Sequence, residues 1–201
     1  MKASLGVLIG LLTLSLSLMF IGPAASARTV AVPTCAADGV APTVSAVPPV
    51  GTFPVLQQGS ANAAVAVRSL QYLLDARGAG LTVDGIFGPR TNAAVRNYQA
   101  ATHRLVVDGI VGPQTWSSLF VTVHRGSVGP AVQAVQDELN ARSTAAGGAA
   151  YLAVDGIFGA KTEAAVYYLQ NRLADYWGIA VDGIVGPQTW QPLISNVLPR
   201  G

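Results

Sequence analysis

The chain is poor in the residues that do chemistry. Its 201 residues hold one cysteine, two histidines and only 11% charged side chains. A single cysteine, Cys35, excludes a disulfide framework within one chain. The histidines, His103 and His124, belong to no His-x-x-x-His or His-Glu pattern, and a metal hydrolase needs at least three ligands close together. Only two of the ten acids are glutamates, Glu138 and Glu163. No repeating pair of carboxylates of the kind that flanks a glycosidic bond occurs. No serine sits in a nucleophile motif. Twelve basic residues against ten acidic ones leave a net charge of +2 with no basic run. That excludes the clustered cations by which proteins displace counterions from nucleic acid, and a polybasic membrane patch. The expectation is a protein that is not an enzyme, with no cofactor and no metal site.

One long apolar run is present, from Ala3 to Ile21, after Met1-Lys2. Gly22-Pro23 breaks it, and Ala25-Ser26-Ala27 supplies small residues at the positions a signal peptidase reads. Residues 1–27 therefore read as a secretory signal peptide; the alternative is a retained membrane anchor. Cleavage after Ala27 would leave 174 residues and, with Lys2 gone, a net charge of +1. No stable membrane insertion is expected after that cleavage. Residues 28–57 hold Pro33, Pro42, Pro48, Pro49 and Pro54 and only two charges, Arg28 and Asp38, so they read as an extended linker. Cys35 lies in that arm. Outside the cell it can pair with another chain or stay free, which leaves the oligomeric state open.

The rest is one unit written twice. Val83 to Gly88 recurs at Val154 to Gly159, shifted by 71, and Val107 to Trp116 recurs residue for residue at Val181 to Trp190, shifted by 74. The spacing predicts module one over 58–120 and module two over 125–195, with Phe120 to Arg125 as a short tether. Helical periods flank the Asp-Gly-Ile turns: Val67, Leu70 and Leu74 match Val132, Val135 and Leu139. The fold class is mainly α, two tandem three-helix bundles. In each turn Asp84 or its counterpart accepts a bond from the backbone two residues on, Gly85 permits positive φ, and Ile86 returns to the core. Gly88 and Pro89 then start the next helix. Trp116 and Trp190 are expected in the core.

Val67-x-x-Leu-Gln-x-x-Leu74, Asp84-Gly-Ile-Phe-Gly-Pro-x-Thr91, Ala94-Val-x-x-Tyr-Gln99 and Val107-Asp-Gly-Ile-Val-Gly-Pro-Gln-Thr-Trp-x-x-Leu119 together resemble the bacterial peptidoglycan-binding domain. Module two matches with departures at Val135, Ala160 and Leu169. The resemblance implies a module that binds murein, glycan or stem peptide, without cutting it, in a shallow groove near the Asp-Gly turns and the start of the second helix. Together with the expected signal peptide, it implies a protein that is secreted and associated with the cell wall. The candidate ligand-binding residues are Asp84, Phe87, Arg90, Thr91 and Asn92 in module one, and Asp155, Phe158, Lys161, Thr162 and Tyr168 in module two. Arg90 and Lys161 align and can meet a muramyl or stem-peptide carboxylate. Other roles stay open: the aspartates as turn formers, the cations as solvated charges, the phenylalanines as core. Module two carries extra rings, Tyr167, Tyr168, Tyr176 and Trp177, that suit either a sugar surface or the boundary between modules. The alternative functions are a scaffold or adhesin for another wall protein and, further off, a wall hydrolase.

Overall fold

The computed structural model describes residues 52–61 and 63–195; the expected signal peptide and most of the expected linker, Cys35 included, lie outside the described residues. Among the described residues there are six helices and no strand longer than an isolated bridge. Module one comprises α1 (Ala64–Asp75), α2 (Pro89–Ala101) and α3 (Pro113–Leu119). Module two comprises α4 (Pro130–Ala145), α5 (Ala160–Trp177) and α6 (Pro187–Ser195). No helix among the described residues is long and apolar enough to cross a membrane.

Glycine and proline set the helix starts as the sequence suggests. Gly88, Gly112 and Gly159 are N-caps, with proline at the first helical position of α2 and α3. The predicted apolar periods face the core: Val67, Leu70, Leu74, Val132, Val135 and Leu139 are all buried, as are Trp116 and Trp190.

The turns depart from expectation at one position. Ile86 does not return to the core; it is 65% exposed, and Ile110, Ile157 and Ile184 are exposed as well. The next residue of each turn, Phe87, Val111, Phe158 or Val185, is buried instead. The positive φ at Gly85, +73°, reverses the chain so that the second residue after the glycine points inward.

The module boundaries also shift. Leu56 pairs with Val111 as an antiparallel bridge, and the Trp116 indole donates to the Pro54 carbonyl at 2.8 Å. Module two repeats this with Val123 paired to Val185 and the Trp190 indole donating to the Val121 carbonyl at 2.7 Å. Phe120 stacks on Trp190, with ring centroids 5.7 Å apart. Residues 52–57 thus belong to module one rather than to the linker. The expected tether is the first segment of module two. A buried indole needs a partner for its N–H, and a chain running past it supplies one.

The two modules pack through α1 and α4, the most extensive helix contact of the fold. Arg68 forms a two-pronged ion pair with Asp137, at 2.8 and 3.2 Å. Beside it the Ser69 hydroxyl donates to Glu138 at 2.6 Å. Glu138 is only 4% exposed, and burial pushes its carboxyl up to about 7.

Candidate functional site: two grooves on a repeated turn scaffold

Four buried glutamines organise the molecule. In the first turn, Gln71 Nε2 donates to the Asp84 carboxylate (2.8 Å), the Ile86 carbonyl (3.2 Å) and the Thr91 hydroxyl (3.2 Å). Its Oε1 accepts the backbone N–H groups of Asp84 and Gly85 at 3.1 and 2.9 Å. Asp84 closes the turn by accepting from Ile86 N at 2.8 Å, the bond expected from the sequence. The arrangement recurs with Gln99, Asp108 and Thr115, with Gln136, Asp155 and Thr162, and with Gln170, Asp182 and Thr189. A side-chain amide has one acceptor and two donors, so one glutamine satisfies both sides of a turn that would otherwise bury unpaired backbone groups.

These bonds shape the carboxylates. The Gln71 amide, then the Ile86 N–H, hold Asp84 below the usual carboxylate range. The Ile157 N–H, then Gln136, do the same for Asp155. Asp84 and Asp155, expected at the ligand, are therefore committed to the turns. Thr91 and Thr162 are buried against the glutamines. Phe87 and Phe158, at 2% and 1% exposure, present no face to a sugar. Asn92 turns toward the second turn, its Nδ2 lying 3.5 Å from the Gly109 carbonyl and its Oδ1 accepting from Arg96.

The remaining candidates converge on one kind of place. Arg90 lines a groove of about 620 Å³ between the end of α1, the loop after it and α2, with Leu74, Arg77, Gly80 and Ala94. Lys161 and Tyr168 line the equivalent groove of module two, about 790 Å³, with Leu139, Arg142, Tyr151, Ala165 and Arg172. No acidic residue lines either groove. Each has a cation at the start of its second helix, Arg90 or Lys161, and an arginine just past or within the last turn of its first, Arg77 or Arg142. The latter pair fastens the third helix. Arg77 Nη2 donates to the Ser118, Leu119 and Phe120 carbonyls, and Arg142 Nη2 to those of Pro192 and Leu193. Burial lowers the Arg142 guanidinium below its ordinary value.

Tyr167 lies against the backbone of Gly183, where a Cβ would come within 2.9 Å of the ring. It therefore supports a turn, whereas Tyr168 is 63% exposed beside the groove. Sequence reasoning passed over Gln71, Gln99, Gln136 and Gln170, and over Arg77, Arg142, Tyr151 and Arg172. The glutamines stand in the repeated motif with no role evident from their own position. Their recurrence on the helix before every Asp-Gly turn was the available signal. Among the described residues no three of His, Cys, Asp or Glu come close enough to hold a metal ion.

The model of the peptidoglycan binding domain family matches the chain twice, over residues 64–119 and 128–193, and these stretches make up more than half of it. The chain belongs to that family, as two tandem copies of its domain. No curated protein and no solved structure matches the chain.

Proposed function

We propose that the protein is a secreted, non-catalytic binder of the bacterial cell wall that grips peptidoglycan through both grooves at once. The observation that carries this reading is the doubled groove: equivalent walls of helices, a cation at the start of the second helix, Arg90 or Lys161, and no acid in the lining. Murein carries carboxylates on its peptides and muramyl groups, and an acid-free cationic cleft complements them. The α1–α4 contact holds the modules together, so the second groove meets the lattice at high effective concentration once the first has bound.

The acids support the non-catalytic part. Eight of the nine acidic side chains among the described residues are engaged by backbone N–H groups, glutamines, Ser69 or arginines. A glycosidase needs two carboxyls aimed at one bond. The secreted part rests on the pattern of residues 1–27.

Sedimentation with purified insoluble murein tests the binding. The protein should pellet at low and moderate salt, and Arg90→Ala with Lys161→Ala should weaken it. Protein left in the supernatant would refute the reading. A zymogram should show no clearing of wall material; clearing would establish a hydrolase. The N-terminus of protein collected from culture medium should be Arg28.

A further inference from the structure

Among the lining positions at which the two grooves differ, three add a ring or a cation to module two, while Tyr98 of module one gives way to Leu169. Module one has Gly80, Asn97 and Ala101 where module two, 71 residues on, has Tyr151, Tyr168 and Arg172. Tyr151 arrives on a longer loop. The repeat offset is 65 up to Arg142 and 71 from Tyr151 to Arg172, so six residues are inserted between Arg142 and Tyr151. The insertion keeps the anchor of the shorter loop. In module one Asp75 accepts from Leu81 N at 2.7 Å; in module two Asn140 accepts from Tyr151 N and Leu152 N, both at 3.0 Å, and donates to the Leu152 carbonyl. The new ring is thus held in place by its own backbone.

Arg172 is also positioned. Its guanidinium lies 6.0 Å from the Tyr168 ring centroid, with Nη1 3.4 Å from the Tyr168 hydroxyl. With Lys161 and Arg142 it makes three cations around a groove without an acid. Arg142 is 6% exposed, and its Nε and Nη1 are the only buried side-chain polar atoms without a partner among the described residues. Two nitrogens of this guanidinium are therefore left without a hydrogen-bond partner, although Glu138 supplies an opposite charge nearby.

The floor distinguishes a peptide from a sugar. It is made of Leu139, Ala165, Leu169 and Leu173. The one neutral hydroxyl there besides the tyrosines, Ser143, is spent on the Ala149 carbonyl at 2.9 Å. A sugar ring needs several hydrogen-bonding groups, which this floor does not offer. Short aliphatic side chains ending in a carboxylate fit it. Building on the wall-binding reading above, we propose that the module-two groove is the peptide-carboxylate site of the protein: Lys161 and Arg172 take the carboxylate, and Tyr151 and Tyr168 wall the aliphatic chain. Module one lacks this specificity.

The test uses the full chain and three soluble probes: a murein stem tetrapeptide with free carboxylates, the same peptide fully amidated, and a neutral chito-oligosaccharide. Calorimetry should show the free acid binding about tenfold or more tightly than the amide, the scale of a charge-assisted hydrogen bond. Arg172→Ala and Tyr168→Asn should each remove most of that preference while leaving the melting curve in place. Equal binding of acid and amide, or binding of the oligosaccharide alone, by protein that still pellets with murein overturns this inference and leaves wall binding intact. Failure to pellet, with no peptide binding, overturns both.

Discussion

Modules one and two agree where they fold and differ where they are open. Gln71 and Gln136 both donate to the turn aspartate, carbonyl and threonine and accept from the turn glycine, and Trp116 and Trp190 donate to equivalent carbonyls. The groove walls, by contrast, replace Gly80, Asn97 and Ala101 with Tyr151, Tyr168 and Arg172. A duplicated scaffold keeps what its turns need and varies what only a ligand would notice. Several of the repeated residues look like binding groups in the sequence, yet they serve the scaffold.

The sharpest way to break this comparison is to remove a glutamine. Gln136→Leu orphans the Gly156 N–H and strips Asp155 and Thr162 of a partner, for a loss of about 3 kcal/mol of stability. Gln71→Leu should cost about as much in module one by chemical denaturation. A small effect in either would show that the turn stands without its glutamine.

The contact between modules gives a pH-dependent effect. Glu138 faces Ser69 and Arg68 from α1, and Asp137 and Arg142 on its own helix. Its folded carboxyl titrates at about 7, above its unfolded value. Its contribution is therefore complete below the unfolded value, near 4.5, and is lost as pH rises toward 7, by up to about 3 kcal/mol. Melting temperature should fall between pH 5 and pH 8. Glu138→Gln should flatten that slope; an unchanged slope would place the titrating group elsewhere.

Smaller effects come from the turn glycines. Gly85 and Gly156 adopt φ of +73° and +74°, and a Cβ at either would meet a backbone oxygen at 3.1 or 3.2 Å. Gly85→Ala and Gly156→Ala should each cost about 1–2 kcal/mol. Matching losses support equivalent turns. Last, Asn97→Tyr with Ala101→Arg carries the module-two wall into module one and should raise affinity for the free-acid peptide a few-fold, about 0.5–1 kcal/mol. No gain would mean the loop bearing Tyr151 is indispensable.

Much of this was legible in the sequence. Ten identities in a row expose the duplication, the periods of Val67, Leu70 and Leu74 give the helices, and Asp84 followed by glycine gives the turn. The orientation of Ile86 was not, because an apolar residue after Asp-Gly reads as core until the turn's handedness is known. Nor was the start of module one, because Pro54 looks like linker until a tryptophan is seen to use its carbonyl. The groove could be read only in part. Arg90, Lys161 and Tyr168 stood out by alignment, but Tyr151 and Arg172 reach it from a loop and a helix end that no local pattern joins.

The central claim is that the two grooves hold the wall. Amide chemical shifts of the labelled protein, titrated with soluble muropeptide, test it most directly. Ala93, Ala94, Ala164 and Ala165 line the two grooves, and their signals should move together with those of Gly80 and Tyr151. Shifts confined to the exposed Ile86, Ile110, Ile157 and Ile184 turns, with the groove signals unmoved, would contradict the account.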